Sequence, residues 1–206
     1  MPLDHAAPSA PSAGPAVAGT VGPNAIIQLA RALRDAAGEA AAARILAAAG
    51  EAEALERPPE AMVDQARAAR LFTATLDDLG PQRGERILAE AGRRTADYIL
   101  ANRIPPLARR CLPLAPVPLA RRVLLSAIRA SAWTFAGSGA VRVGMRPAPW
   151  IEIEANPLAT PGCPWHGAVF QRLFEVLAPG RGGVWRYRRG RAARAPVCRF
   201  AFEASR

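Results

Sequence analysis

The stretch Val141–Glu154, VRVGMRPAPWIEIE, is where the sequence changes period. Val141, Val143 and Met145 alternate with Arg142, Gly144 and Arg146, and beyond Pro147-Ala148-Pro149 Ile151 and Ile153 alternate with Glu152 and Glu154. Side chains of a strand point to opposite faces in turn, so this pattern predicts a half-buried hairpin. Its outward Arg and Glu side chains can pair across the two strands.

Upstream of the hairpin the period is helical. A helix from about Pro118 carries Leu125, Ile128, Ala132 and Phe135 on one face and stops in Gly137-Ser138-Gly139. Residues 105–118 hold five prolines and are expected to be a loop or one short turn. Residues 81–103 read as a helix with the stripe Leu88, Ala91, Thr95, Tyr98 and Ile99, and with Glu90 and Arg94 ordered for an i,i+4 ion pair. After Pro58-Pro59, Glu60 to Leu79 reads as another helix, with Met62, Ala66, Ala69 and Phe72 on one side. Asn24 is a candidate N-cap for the first helix (Ile26, Leu29, Ala30, Leu33, Ala37), and a second Ala-rich helix runs to Gly50.

Downstream, 165–178 is helical through Phe170, Leu173, Phe174 and Leu177, and strands are expected at 183–189 and 197–203. Cys198, Phe200 and Phe202 share one face of the last strand. N-terminal helices followed by a mainly antiparallel sheet with an inserted helix make an α+β fold.

The chain has 206 residues, half of them hydrophobic, which excludes a disordered or fibrous protein. Residues 1–22 form an expected disordered leader and 23–206 a single domain. The leader lacks Arg and a continuous apolar core, so no secretory signal is expected. No apolar run reaches the ~18 residues of a membrane span. The expected location is the cytoplasm, or the periphery of a membrane.

The net charge of +10 comes from 27 basic residues, all Arg. It is unevenly spread: residues 1–97 carry −3, residues 98–180 carry +6 and residues 181–206 carry +7, and there is no acid from Tyr98 to Ile151. A basic half complements an anionic ligand, a phosphate backbone or an acidic partner, and equally makes a solvated surface. Nucleic-acid binding would fall on Arg181 to Arg199 with Trp185 and Tyr187 interleaved for stacking. That segment is short and lacks a recognised motif, so nucleic acid is not the expected partner.

Catalytic motifs are scarce. Gly137-Ser138-Gly139 follows a helix and leads into a strand, the reverse of a dinucleotide fingerprint, and reads as a turn. Without Lys there is no phosphate loop of the Walker type. Of the two histidines, His5 lies in the leader, whereas His166 continues the apolar stripe of Phe170, Leu173 and Leu177. Such an imidazole can ligate a metal, including the central metal of a tetrapyrrole, or can be a core or helix-start histidine. Cys163 is a second soft donor nearby, or a small buried thiol. Trp133 and Phe135 could form an aromatic wall against a flat ligand, or pack in the core. No residue is singled out as catalytic. Cys111, Cys163 and Cys198 are widely spaced and odd in number, with no C-x-x-C pair, and free thiols are expected.

The segments PNAIIQLA (23–30), AGRRTADYILANRIP (91–105), AWTFAGSG (132–139), IEIEANPL (151–158) and FQRLFEVL (170–177) together resemble the vinyl-4-reductase domain family of bacteriochlorophyll biosynthesis. The similarity runs in matching order from about residue 23 to the C-terminus. It implies a small-molecule-binding α+β fold and, as substrate, a divinyl chlorophyllide or protochlorophyllide reduced at its 8-vinyl group (4-vinyl in older numbering). Relatives carry a C-terminal cysteine cluster; here only Cys198-Arg199-Phe200 remains, and Cys163 matches another family cysteine, which argues against a zinc or iron–sulfur role. Reducing a vinyl group takes electrons that side chains do not supply, and no cofactor motif is visible, so the reductant is expected to be external. The expected partners are a magnesium tetrapyrrole precursor and enzymes of the pathway. Candidate pigment contacts are Trp133, Phe135 and His166 for the macrocycle, with Arg103 or Arg142 for its carboxylates. The other reading is a non-catalytic sensing or scaffold module that binds a hydrophobic small molecule and partner proteins.

Overall fold

The computed structural model describes residues 19–180, 183–189 and 197–204. In chain order these form β1 (Thr20–Val21), α1 (Asn24–Ala37), α2 (Glu39–Ala48), β2 (Val63–Asp64), α3 (Gln65–Asn102), α4 (Pro106–Cys111), α5 (Val117–Ala130), β3 (Ala140–Gly144), β4 (Trp150–Glu154), α6 (Pro164–Leu177), β5 (Gly183–Arg189) and β6 (Val197–Ala204). β1 and β2 make a two-stranded ribbon, and β3 to β6 make a four-stranded antiparallel sheet in the order β3-β4-β6-β5. The fold is α+β, with helices first and a helix inserted between the two hairpins of the sheet. Of the expected leader, residues 1–18 lie outside the described residues.

The register of the sheet sorts its side chains onto two faces. Ile151 pairs with Phe200 and Ile153 with Cys198, and all four are buried beneath α6 together with Phe202 and Trp185. The opposite face carries Arg142 paired with Glu152, and Glu152 paired with Arg199. Arg142 Nη2 donates to Glu152 Oε1 at 2.9 Å and also to Glu154, so the cross-strand pairing expected of the hairpin is present.

α3 contains two helical arms. Gly80, at φ 73° and ψ 164°, adopts a conformation open essentially to glycine alone, and Pro81 opens the second arm, whose first turn has no donor to lose. The second arm crosses α6 closely at Gly92, where a Cβ would overlap the carbonyl oxygen of Trp165. Arg172 Nε donates to Asp97 Oδ1 at 2.7 Å farther along, so the two helices run in the same direction. The Glu90–Arg94 pair forms as expected, at 2.7 Å.

Several local expectations differ from the structure. The helix expected from Glu60 begins at Gln65, because Val63 and Asp64 pair with Val21 and Thr20, a long-range contact with no local signature. Asp64 then caps it, its side chain accepting from Ala66 N at 2.7 Å. Asn24 is the first helical residue of α1 rather than its cap, and its Oδ1 accepts from Gln28 Nε2. The proline-rich 105–118 segment holds a real short helix, α4, followed by a 3-10 turn at Leu112–Leu114. α5 ends at Ala130, so Ala132 and Phe135 belong to the turn that follows and not to the helix face. Gly137-Ser138-Gly139 is a turn, as read.

Candidate functional site

The start of α6 meets the turn after α5 and the buried face of the sheet at His166. Pro164 at the first helical position fixes the entry of α6, which turns His166 inward. The imidazole is buried, with ring centroids of Phe135, Trp165, Phe170 and Phe200 at 6.2, 4.8, 6.3 and 6.4 Å. Its Nε2 lies 3.3 Å from the carbonyl oxygen of Phe135. A carbonyl only accepts, so the ring proton is assigned to Nε2 and Nδ1 keeps the lone pair. Burial pushes the imidazole pKa down to about 4, against a smaller opposing effect of the Phe135 bond, so the ring is neutral at physiological pH.

The loop before α6 is tightly built. Cys163, just ahead of the helix, has a left-handed backbone (φ 42°), as does Ala155 (φ 48°), each costing on the order of 1 kcal/mol. Cys163 is bonded to Cys198 of β6 in a disulfide, with Cα atoms 6.7 Å apart. This corrects the expectation of three free thiols: the inserted helix folds back over β6 and brings together two cysteines 35 residues apart. Cys111 remains free and exposed. Asn156, buried, donates from Nδ2 to Cys198 Sγ at 3.3 Å and accepts Leu158 N on Oδ1 at 3.0 Å. Gln65 spans to the turn on the other side, accepting Ser138 N at 2.8 Å and donating to Ser138 Oγ at 3.0 Å. Sequence reading missed both Asn156 and Gln65; Asn156-Pro157 is a turn signal that could have pointed to the first, whereas Gln65 bonds across 73 residues and gives no local sign.

The structure brings Phe135 and His166 together. Trp133, two residues before Phe135, is 63% exposed and lies outside the aromatic wall. Arg142 sits on the outer face of the sheet, with its guanidinium held by Glu152 and Glu154. Arg103 follows α3, exposed, with no carboxylate partner among the described residues. Since α3 and α6 run alongside from Gly92 at Trp165, the helix rise places Arg103 about 16 Å along the axis from that level. Trp185, the stacking candidate of the basic C-terminal stretch, is buried against Phe174 and Phe202 and is not available to a base. Much of the rest of that stretch, residues 190–196, lies outside the described residues. Among the described residues no group of three or more His, Cys, Asp or Glu is placed to hold a metal ion, and no helix is long and apolar enough to cross a membrane.

Two surface hollows lie away from this corner. One of about 460 Å³ surrounds Glu51, Arg57 and Arg67, where Glu51 and Arg67 are already paired at 2.7 Å. The other, of about 750 Å³, lies between α2 and the first arm of α3.

Comparison with known proteins gives two kinds of relative. Over 200 residues the chain is 46% identical to the bacteriochlorophyll synthase 23 kDa chain of Cereibacter sphaeroides, covering 91% of this chain and 92% of that one. It is 39% identical over 163 residues to the protein of the same name from Rhodobacter capsulatus, covering 76% and 75%. No protein-family model matches the chain. In fold it is similar to a structure from a study of heme distortion in the H-NOX family, with a TM-score of 0.57 at 12% identity over 88% of this chain and 94% of that one. A Cs H-NOX mutant carrying 4-cyano-L-phenylalanine gives a TM-score of 0.55 at 13% identity, over 89% and 97%.

Proposed function

The chain belongs to the family of bacteriochlorophyll synthase 23 kDa chains and is a protein of bacteriochlorophyll biosynthesis; on that premise we propose that it binds a magnesium divinyl chlorophyllide or protochlorophyllide and presents it for reduction of the 8-vinyl group. The observation that carries this reading is His166, a buried neutral imidazole walled by Phe135, Trp165, Phe170 and Phe200. A neutral ring retains a lone pair for a metal centre, and aromatic rings suit a flat macrocycle. The H-NOX likeness supports it, since heme, the group studied there, is also a tetrapyrrole.

In this reading Phe135 and His166 face the macrocycle and Trp133 covers its outer edge. Arg103 takes a carboxylate, because its guanidinium has no competing partner, whereas that of Arg142 is committed to Glu152 and Glu154. Converting the vinyl to an ethyl group consumes two electrons and two protons, which come from an external donor brought by another enzyme of the pathway. The protein works at the periphery of the photosynthetic membrane.

Anaerobic incubation with divinyl protochlorophyllide separates presentation from catalysis. The expected result is pigment bound but unchanged by the purified protein, and ethyl product only when pathway extract is added. Ethyl product from purified protein with a simple reductant would make the chain the reductase itself.

A further inference from the structure

The segment from α4 through α5 is unlike the rest of the surface. Leu107 is 72% exposed, Leu114 86%, Leu119 52% and Val123 43%, and these make up four of the six most exposed large hydrophobic side chains among the described residues. Leu119 and Val123 are one turn apart on the outer side of α5, opposite the buried Ala120, Leu124 and Ile128. Arg122 and Arg129 flank that stripe and are exposed, and Arg109 and Arg110 close α4. None of these four arginines has a carboxylate within ion-pair distance among the described residues, whereas the arginines of α2, α6 and the outer sheet face are largely paired. No acidic residue occurs anywhere from Tyr98 to Ile151.

We propose that α4 and α5 form a docking surface for an anionic lipid bilayer, with Leu107, Leu114, Leu119 and Val123 entering the headgroup boundary and Arg109, Arg110, Arg122 and Arg129 meeting lipid phosphates. Unpaired cations around apolar side chains are the composition of an interfacial helix. Arginine keeps its charged end at the headgroups while its stem lies along apolar surface. Leu107 stands out from the short α4 and Leu114 from the 3-10 turn that follows it, and such protruding side chains suit insertion into a deformable phase more than a fit to a rigid protein surface. The proposal gives a physical basis to the peripheral location proposed above and does not depend on pigment binding.

The test is vesicle flotation of the full pigment-free chain, with phosphatidylcholine alone and with phosphatidylcholine containing phosphatidylglycerol. Binding is expected only with the anionic lipid. Arg110→Gln with Arg122→Gln should weaken it by roughly 25-fold, about fivefold for each charge. Leu107→Ser with Leu114→Ser, both at exposed positions, should weaken it by at least about tenfold. Arg31→Gln with Arg57→Gln makes the same charge change in the N-terminal half and should leave binding within about twofold. No binding to anionic vesicles, or equal weakening by both arginine pairs, would overturn the proposal. So would vesicle binding that the leucine changes leave intact, which would make the association electrostatic alone, with no apolar insertion. Pigment titration of the same variants in solution should be unchanged, so failure here is distinguishable from failure of the pigment reading.

Discussion

His166 Nε2 and the Phe135 carbonyl oxygen, 31 residues apart in sequence, lie 3.3 Å apart and tie the start of α6 to the turn that leads into the sheet. The bond spends the ring proton on the backbone and fixes the tautomer, so the chemistry left to this imidazole is that of a lone pair on Nδ1. His166→Gln retains a donor for Phe135 but not the ring nitrogen. Bound divinyl protochlorophyllide should therefore lose the ligation-dependent part of its Soret shift in this variant while the far-ultraviolet spectrum of the protein stays the same.

The same group makes stability depend on pH. The imidazole pKa is lowered from 6.5 to about 4 in the folded chain, so between those values the unfolded chain binds the proton and the folded chain does not. Stability from this group is complete above pH 6.5 and falls as pH drops toward 4, by about 3 kcal/mol in all. Urea midpoints measured across that window should show a slope that His166→Gln largely removes.

The disulfide between Cys163 and Cys198 predicts a thiol count. Native protein kept from reductant should show one reactive thiol, Cys111, and reduction in denaturant should show three. Cys198→Ser should lower stability by about 4 kcal/mol, the loop entropy released over a separation of 35 residues. Three reactive thiols in the native protein would contradict the pairing.

How much of this was legible differs between elements. The change of period at Val141 located the sheet, and the ends of α6, β5 and β6 fell within a residue of expectation because each alternation or stripe is bounded by Pro or Gly. The start of α3 was not legible, since it depends on β1 pairing with β2 across more than forty residues. His166 was legible as an imidazole on an apolar stripe. Its closure by Cys163, Cys198 and Asn156 was not, because those contacts join elements whose juxtaposition only the folded sheet creates. The charge of +10 likewise does not show which arginines are paired: those of the outer sheet face meet Glu152, Glu154 and Glu203, whereas Arg109, Arg110, Arg122 and Arg129 on α4 and α5 meet no carboxylate among the described residues.

Gly92 tests the packing that carries the site. A methyl group there meets the carbonyl of Trp165 and the Cβ of Ala168, neither of which is a flexible end that can swing away. Gly92→Ala should cost about 1–3 kcal/mol and, by moving α6 off α3, weaken pigment binding as well. Thermal melts and a pigment titration on one preparation check both effects.

Arg142 and Arg103 test the proposed division between an arginine that holds the sheet and one that meets the pigment. Arg142→Gln leaves Glu152, nearly buried, with only Arg199 at 3.6 Å, and should destabilise the protein by about 1 kcal/mol without changing pigment affinity. Arg103→Gln should do the reverse, weakening pigment binding about tenfold with little change in stability. Denaturation and pigment titration of the two variants side by side read the contrast.

The most direct test of the account is an absorbance titration of the purified chain with magnesium divinyl protochlorophyllide, alongside Phe135→Ala and His166→Gln. The account predicts saturable binding at micromolar pigment with a displaced Soret band, weakened by both substitutions. A wild-type chain that leaves the pigment spectrum unchanged at those concentrations, or a displaced band that both variants reproduce in full, would contradict it.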